Sequence, residues 1–387
     1  MEAIELIEII NRGEDTQHQF KENFTNADSL AAEMTALSNS HGGEILIGVN
    51  DRGEIVGLSS HDIKRLNQLI SNTASQCIKN AINPKTENVS IGDKVVMVVT
   101  ILKGTDKPYM DNKGNIWVKS GSDKRKVTSR EEMRRFFQES DIINADKVPV
   151  EGSTINDIDI RYFEQFFQRN YGKDLNQIEI SLFQLLENMN LAKNGQLNLA
   201  GLLLFGKTPQ WKKPEFIVKA VSFYGNDPTT IHYRDSEDIS GNLKYMFDTT
   251  ISFLTRNLHK LQNDKGFNSL GDIEISRETL DELVVNMLIH RDYFISAPWR
   301  IFIFDNRIEI ISPGRLPNNL TVENIKAGIS TIRNPVIASF ATKELPYRGL
   351  GTGILRALKY YPDIDFINDC ENNQFICSLR RKECDGL

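Results

Sequence analysis

The sequence predicts an α+β domain at the N-terminus, a mixed middle region and an α/β domain at the C-terminus. A chain of 387 residues with 40% hydrophobic content is long enough for two or three domains. Helix and strand patterns are mixed in the first third, and a separate series of helix, two strands and helix occupies the last part. Residues 146–159 lack periodicity, as is typical of a linker. We therefore predict domains at 1–140, 141–270 and 271–387.

Composition narrows the classes of function. Four cysteines, with no CxxC pair and no histidine at metal spacing, indicate free thiols and exclude a zinc site or a disulfide framework. The N-terminus "MEAIELIEII" is acidic and no apolar run approaches ~20 residues, so we expect a cytoplasmic protein that does not enter a membrane. The net charge is −6, but residues 107–135 contain nine basic and four acidic side chains. That segment is the expected nucleic-acid contact, and we also expect a homo-oligomer.

Glycines mark the ends of several helices and strands predicted in the N-terminal region. A helix capped by Asp28 or Ser29 is predicted to end near Gly42. "EILIGV", the turn "NDRG" and "EIVGL" then predict a β-hairpin. "KVVMVVTIL" and "NIWVKS" predict two further strands, and a basic helix is expected near residues 129–137.

The middle region contains a formal phosphate-loop pattern, "GLLLFGKT". Its four central residues are large and apolar, which favours a buried strand, and Pro209 and Pro214 interrupt the helix that such a loop requires. We therefore reject an NTPase of that type. Helices near 160–169 and 180–189 and a strand in "EFIVKAVSFYG" are also predicted.

The stretch "DELVVNMLIHRDY" carries the first candidate site. Glu282, Asn286 and His290 share one helical face at i, i+4 and i+8, opposite an apolar stripe. A carboxylate can orient an attacking water, and an amide oxygen can hold a magnesium ion that bridges phosphates. The alternative is a solvated polar face of a helix.

The stretch "RGLGTGI" supplies a partner for that helix. Three glycines at alternate positions precede the helix "LRALKYY" and leave backbone amides at its N-terminus, where phosphate binds readily. The order of Glu/Asn helix, two strands, "SPGRLP" and glycine loop resembles the GHKL ATPase family of gyrase, histidine kinase and MutL type. The resemblance covers about residues 274–375, in the form attached to RecG-helicase-like transcriptional regulators. It implies a C-terminal α/β sandwich of GHKL type that binds ATP with Mg.

The resemblance also implies roles for single residues. Glu282 corresponds to the base that activates water for ATP hydrolysis, and Asn286 to the magnesium ligand. Where the usual family member has an aspartate that reads adenine, this chain has "SPG". The cofactor-binding residues implied in this way are Asn286, Ser312, Gly314, Gly349, Gly351 and Gly353.

The N-terminal segment "FKENF…ALSNSHGGEILIGVNDRGEIVGL" resembles the Schlafen/AlbA-type DNA-binding domain over residues 14–137. This implies DNA or RNA as the partner. The glycines allow tight turns that bring the "FKE" strand beside the "NDRG" turn. The basic residues that can contact phosphates are Lys21, Lys119, Lys124, Arg125, Lys126, Arg130, Arg134 and Arg135. A solvated basic face and a purely structural hairpin are the alternatives.

Schlafen relatives that cleave RNA use three carboxylates to hold a divalent metal. The corresponding positions here are Glu14, Gln19 and Asn50, with Glu22 and Asp51 as neighbours. Because two positions are amides, we expect weak or absent nuclease activity. The predicted function is an ATP-binding, nucleic-acid-binding regulator in which the nucleotide acts as a switch. The alternatives are a metal-dependent RNase for tRNA or other RNA, acting in defence or stress, and an assembly protein with neither activity.

Overall fold

The computed structural model describes residues 1–139, 143–261, 271–317 and 320–381. The chain divides into two compact units, Met1–Ile143 and Asn144–Leu387, and both mix helices with sheets. Within the described ranges, no helix is long and apolar enough to cross a membrane. Three cysteines are free thiols, and Cys384 lies outside the described residues.

The N-terminal unit consists of short helices around small sheets. Its helices are α1 (Ala3–Arg12), α2 (Ala27–Asn39), α3 (Ser60–Gln76) and α4 (Arg130–Glu139). Its strands are β1 (His18–Lys21), β2 (Gly43–Ile47), β3 (Ile78–Lys79), β4 (Lys85–Ile91), β5 (Lys94–Ile101), β6 (Met110–Asp111), β7 (Trp117–Ser120) and β8 (Asp123–Lys126).

Four of these strands form the main sheet, in the order β1-β2-β5-β4. β1 and β2 run parallel, and the other pairs are antiparallel. Since side chains alternate along a strand, Ile45 and Ile47 pack into the core with α2 and α3, while Leu46 packs toward α1. The sheet is therefore covered by helices on both faces. β7 and β8 form a separate basic hairpin that packs against α2.

The predicted hairpin after α2 is shorter than expected. The turn closes through a hydrogen bond from the Gly53 amide to the Asn50 carbonyl (2.9 Å), but the returning segment makes only one bridge, between Val49 and Ile55. The N-cap of α2 is Asn26, whose side chain accepts a hydrogen bond from the Asp28 amide, so the predicted cap is wrong by two or three residues.

Gly43, the second residue of the double glycine, begins β2 where two strands approach closely. Its φ is +147°, and a Cβ atom there would lie 2.1 Å from the Gln17 carbonyl oxygen. β1 can pair with β2 only because position 43 has no side chain.

The C-terminal unit is larger. Its helices are α5 (Ile160–Tyr171), α6 (Leu182–Asn188), α7 (Leu199–Phe205), α8 (Leu243–Asn257), α9 (Arg277–Ile289), α10 (Val322–Lys326), α11 (Pro335–Glu344) and α12 (Gly353–Tyr360). Its strands are β9 (Ala192–Lys193), β10 (Gln196–Leu197), β11 (Val218–Phe223), β12 (Tyr233–Ile239), β13 (Lys260–Leu261), β14 (Asp272–Ile273), β15 (Trp299–Ile303), β16 (Arg307–Pro313), β17 (Ile364–Asp369) and β18 (Gln374–Arg380).

One six-stranded sheet organises this unit, in the order β12-β11-β15-β16-β18-β17. β11 and β15 are parallel, and the other neighbours are antiparallel. Ala220, Ile301 and Ile310 belong to its buried core, α8 and α9 pack on the sheet, and α12 packs on α9. The arrangement is that of helices layered on a mixed sheet.

The sheet draws strands from two of the predicted domains. β11 and β12 belong to the predicted middle region, and the other four strands belong to the predicted C-terminal domain. The predicted boundaries after residues 140 and 270 lie at segments outside the described residues. The division into three domains therefore stays a prediction.

The strand predicted in "LLLFG" is wrong, because its first four residues lie in α7 and Gly206 is the C-cap of that helix. The Asn198 side chain accepts a hydrogen bond from the Gly201 amide (2.8 Å) and starts the helix, and all seven residues of α7 are buried. A short apolar run buried on all sides has no period that distinguishes helix from strand. The "GKT" segment follows this helix instead of preceding one, unlike a phosphate loop.

Candidate functional site

A cleft in the C-terminal unit lies between α9 and the glycine-rich loop that precedes α12. Its cavity volume is about 120 Å³. α9 starts where the Ser276 hydroxyl accepts a hydrogen bond from the Thr279 amide (3.3 Å). Apolar side chains line the cleft from α9, from β16 and β18 of the sheet, and from the segment that follows β16 up to α10. These residues are Leu283, Met287, Ile310, Leu316, Leu320, Ile325, Phe375 and Cys377. Such a cleft combines an apolar floor with a few polar groups, as ligand sites commonly do.

The predicted polar residues of α9 face this cleft. Glu282 is only 6% exposed, so the alternative of a solvated helix face is wrong. One Glu282 carboxylate oxygen accepts a hydrogen bond from the Arg356 guanidinium at 2.7 Å. The other lies 3.5 Å from the Asn286 side-chain nitrogen. Glu282 therefore lies beside the predicted magnesium ligand and is already paired with a cation.

His290 follows the last turn of α9 and meets the loop before α12. Its Nε2 atom lies 3.3 Å from the Tyr347 hydroxyl. Burial lowers the pKa of His290 to about 4, and the charge of Arg333 acts in the same direction. The imidazole is therefore neutral at pH 7 and adds no charge to the cleft.

The glycine-rich loop is shaped by close backbone packing. Gly349 and Gly351 have φ values of +66° and +72°, in the left-handed region. A Cβ atom on Gly351 would lie 2.5 Å from the Gly328 carbonyl oxygen. A Cβ atom on Gly353 would lie 1.8 Å from a carboxylate oxygen of Glu282. Gly351 is thus required by a backbone neighbour, whatever ligand binds, whereas the neighbour of Gly353 is the end of the Glu282 side chain.

Ser312 and Gly314 line the cleft at the end of β16. The Ser312 hydroxyl donates a hydrogen bond to the Met287 carbonyl at 3.2 Å. A Cβ atom on Gly314 would lie 2.5 Å from Cβ of Asp292. Both residues therefore hold the end of β16 against the end of α9, and their contact with a cofactor stays a prediction.

Arginines dominate the charge of the cleft. Among the described lining residues, Glu282 is the one carboxylate, and the guanidinium groups belong to Arg315, Arg333, Arg348 and Arg356. This excess of positive charge favours an anionic ligand. These arginines are not among the residues predicted from the sequence, although "RGLGTGILR" places Arg348 before the glycines and Arg356 after them. Arg315 and Arg333 carry no comparable signal.

The N-terminal unit forms a different polar cluster. Glu14 accepts hydrogen bonds from the Gln19 side chain and from the Phe20 amide (2.7 Å). The Lys119 ammonium group donates to Gln19 Oε1 at 2.6 Å, and burial lowers the pKa of Lys119. A lysine therefore occupies the oxygen that a metal would need at position 19.

The turn residues near this cluster face elsewhere. Asn50 Oδ1 accepts hydrogen bonds from the amides of Arg52 (3.0 Å) and Glu54 (2.9 Å), which closes its own turn. The Asp51 side chain is 82% exposed, and Glu22 is exposed. No group of three or more His, Cys, Asp or Glu side chains that could hold a metal occurs in the described part of the chain.

The predicted phosphate-binding residues differ in their availability. Lys124 is 2.6 Å from Glu33, whose side chain is 2% exposed. Arg125 forms two hydrogen bonds with Glu132 (3.0 and 2.8 Å).

Further along, Arg135 is 2.6 Å from Glu131, and Lys21 is 3.4 Å from Asp51. Lys126 and Arg130 are exposed, and neither forms an ion pair with another residue of the described ranges. Arg134 is partly buried. The basic segment is thus only partly available to a partner.

Comparisons with known families support the two resemblances. Residues 14–128 match the family described as "Schlafen, AlbA_2". Residues 297–368 match "Putative ATP-dependent DNA helicase recG C-terminal", and residues 134–218 match a domain of unknown function. These matches confirm the predicted resemblance of the chain to a Schlafen/AlbA domain and to a RecG C-terminal domain. No curated protein matches the chain.

One solved structure is similar to most of the chain, and another is similar to about a third of it. The DIP2311 protein from Corynebacterium diphtheriae is 20% identical, with a TM-score of 0.47, over 98% of this chain and 80% of that protein. The N-terminal domain of a RecG-related protein from Nitrosomonas europaea is 24% identical, with a TM-score of 0.24, over 34% of this chain and 96% of that domain. The RecG family match starts after α9, so it includes the glycine loop but not Glu282 or Asn286.

Proposed function

We propose that this chain is a nucleic-acid-binding regulator of transcription whose C-terminal unit binds ATP with magnesium. Nucleotide binding would switch the N-terminal Schlafen/AlbA domain between states of different affinity for DNA or RNA. The observation that carries this proposal is the arginine-rich cleft beside the glycine loop that opens α12. We further propose that the unit is a GHKL-type sandwich and that the chain acts as a homo-oligomer.

The cleft suits a nucleoside triphosphate in its chemistry. The apolar floor at Ile310 and Phe375 suits a planar base, and the arginines near the glycine loop suit phosphates. Backbone amides at the start of α12 add favourable partial charges for an anion.

Magnesium would need few protein ligands in such a site. This ion usually keeps several waters and binds one or two side chains together with the phosphates of the nucleotide. Asn286 lines the cleft and would supply an amide oxygen. When bound, the ion would neutralise part of the phosphate charge.

Binding has more support than hydrolysis. Glu282 is the residue that would activate water, but Arg356 already takes one of its oxygens. A general base needs a free oxygen within hydrogen-bond reach of the water. We therefore propose a nucleotide-dependent switch as the principal role.

The nuclease alternative has less support from the geometry. Two of its three metal positions are amides, one of which is held by Lys119 while the other closes a turn. Phosphate binding by exposed basic residues requires none of these groups.

The test is a titration of the full chain with a non-hydrolysable ATP analogue and magnesium, followed by nucleic-acid binding with and without the analogue. We expect saturable nucleotide binding that falls about tenfold in Arg348→Ala, since this exposed side chain lines the cleft. Arg256→Gln is the control, because Arg256 pairs with Asp235 outside the cleft lining. Nucleic-acid affinity that is identical with and without bound nucleotide would reject the switch.

A further inference from the structure

The carboxylate of Glu282 lies against the first residue of α12. Its Oε1 atom would be 1.8 Å from a Cβ atom at Gly353, so the side chain fills the space directly above that glycine. Its Oε2 atom accepts a hydrogen bond from Arg356, one turn further along the same helix. Glu282 is also buried, since only 6% of it is exposed.

A helix N-terminus beside a guanidinium group is a favourable place for an anion. In this structure the anion is an internal carboxylate. Phosphate and carboxylate use the same donors, because both present oxygen acceptors to backbone amides and to the planar fork of arginine. Glu282 therefore occupies a donor, the Arg356 guanidinium group, that a phosphate group in the cleft would use.

The rest of the lining supports this interpretation independently. Arg348 is exposed at the start of the glycine loop, whereas Arg333 donates hydrogen bonds to the carbonyls of His290 (3.4 Å) and Arg315 (2.9 Å). The Arg348 guanidinium group therefore adds an exposed positive charge to the cleft beside Arg356. A ligand with several phosphates would bring negative charge to it.

We propose that Arg356 is a phosphate-binding residue of the cleft and that Glu282 is its internal competitor. The carboxylate holds Arg356 until a di- or triphosphate takes over the guanidinium group. The inference rests on the proposed nucleotide site and adds both a ligand-contacting residue and a built-in restraint on binding. It predicts that removing the charge of Glu282 strengthens ligand binding. If Glu282 instead contacted the ligand favourably, the same change would weaken binding.

The interaction between the charges of Glu282, Arg356 and a phosphate group gives the expected direction of the change in affinity. An incoming phosphate must approach a buried carboxylate of like charge and break its pair with Arg356. Glu282→Gln keeps the size of the side chain and removes both obstacles. We expect the affinity for a polyphosphate ligand to rise about tenfold, within the usual range of such couplings.

The experiment is isothermal titration calorimetry of the full chain with two separate probes, a non-hydrolysable ATP analogue with magnesium and inorganic tripolyphosphate. Glu282→Gln should bind more tightly, and Arg356→Gln should bind about tenfold more weakly. The double variant should bind more weakly than Glu282→Gln, because the contact with Arg356 is lost, and no more weakly than Arg356→Gln, because the repulsion from Glu282 is also absent. Arg356→Lys should recover part of the affinity, and Arg256→Gln, whose pair with Asp235 lies outside the cleft lining, should not differ from the wild type. Thermal unfolding of each variant checks that it folds.

The outcomes separate this inference from the proposed function. Equal or weaker binding of the ATP analogue by Glu282→Gln would overturn the inference while nucleotide binding stands. Tripolyphosphate binding with the predicted pattern, without nucleotide binding, would support the inference and reject a nucleotide site. Failure of both probes with every folded variant would reject both.

Discussion

The two polar clusters of this chain use positive charge in opposite ways. In the N-terminal unit, Lys119 and Lys124 bind a buried amide and a buried carboxylate of the same unit. In the C-terminal cleft, Arg356 pairs with Glu282, while the exposed Arg348 also lines the cleft. A basic stretch in a sequence is therefore not equivalent to charge available for a ligand, and a single arginine beside the glycine loop is more exposed than either lysine.

The largest expected effect tests whether Lys124 is an internal partner. Lys124→Glu would place a second carboxylate beside Glu33, which is 2% exposed. We expect the free energy of unfolding to fall by about 3 kcal/mol, as when a buried ion pair is broken. Urea unfolding measures the change. Lys126→Glu is the matched control, and equal midpoints for the two variants would remove the distinction between internal and available lysines.

A second effect concerns the neutral imidazole beside the arginines. The pKa of His290 is about 4 in the folded protein, below its ordinary value of 6.5. Protonation of His290 is therefore less favourable in the folded state than in the unfolded state. The contribution of the neutral imidazole to the free energy of unfolding is complete above pH 6.5 and is lost as the pH falls toward 4. Because the side chain keeps some exposure, we expect a loss on the order of 2 kcal/mol. Unfolding of the wild type and of His290→Gln at about pH 7 and about pH 4.5 measures it.

The free energy of unfolding should change with pH more steeply in the wild type than in His290→Gln, since only the wild type carries the imidazole. In the His290→Gln variant, a side-chain amide that does not titrate replaces the imidazole beside the Tyr347 hydroxyl. Parallel pH profiles would mean that burial does not lower the pKa of His290 as expected.

A third effect tests the available part of the basic segment. Lys126→Glu with Arg130→Glu should weaken nucleic-acid binding and lower the salt slope by roughly 0.9 for each lost duplex contact. We expect the free energy of unfolding to change by less than about 0.5 kcal/mol, because both side chains are exposed. Binding titrations at several salt concentrations provide the measurement. An unchanged slope in this folded variant would mean that nucleic acid contacts another surface.

The smallest expected signal is metal-dependent cleavage of tRNA. We expect none from the wild type with manganese or magnesium, and none from Gln19→Glu/Asn50→Asp, because Lys119 still occupies the position 19 oxygen. Adding Lys119→Met to that double variant removes the competing ammonium group. Robust wild-type cleavage that disappears in both Glu14→Ala and Asp51→Ala would instead favour the nuclease.

Parts of the molecule follow directly from sequence patterns. β5, β7, β11 and α4 lie in or close to the segments predicted for them, because apolar alternation, buried β-branched runs and helical periodicity are local signals. The Glu282/Asn286 helix and the glycine loop were also predicted, since each is a contiguous motif, and the cleft brings them together.

Other features depend on contacts that no local pattern encodes. Glu33 and Lys124 are 91 residues apart, and Glu282 and Arg356 are 74 apart. A count of charges cannot show which of them meet. α7 was mistaken for a strand because every one of its residues is buried, which erases the helical period.

The most direct test of the central claim is hydrogen–deuterium exchange of the full chain with and without an ATP analogue and magnesium. We predict slower exchange at residues 348–356 and along α9 when nucleotide binds, because these segments line the cleft. Residues 14–21 should show no comparable direct protection, since their polar groups already bind one another. Saturating nucleotide that leaves 348–356 and α9 unchanged, or that protects only residues away from the cleft, would contradict the account.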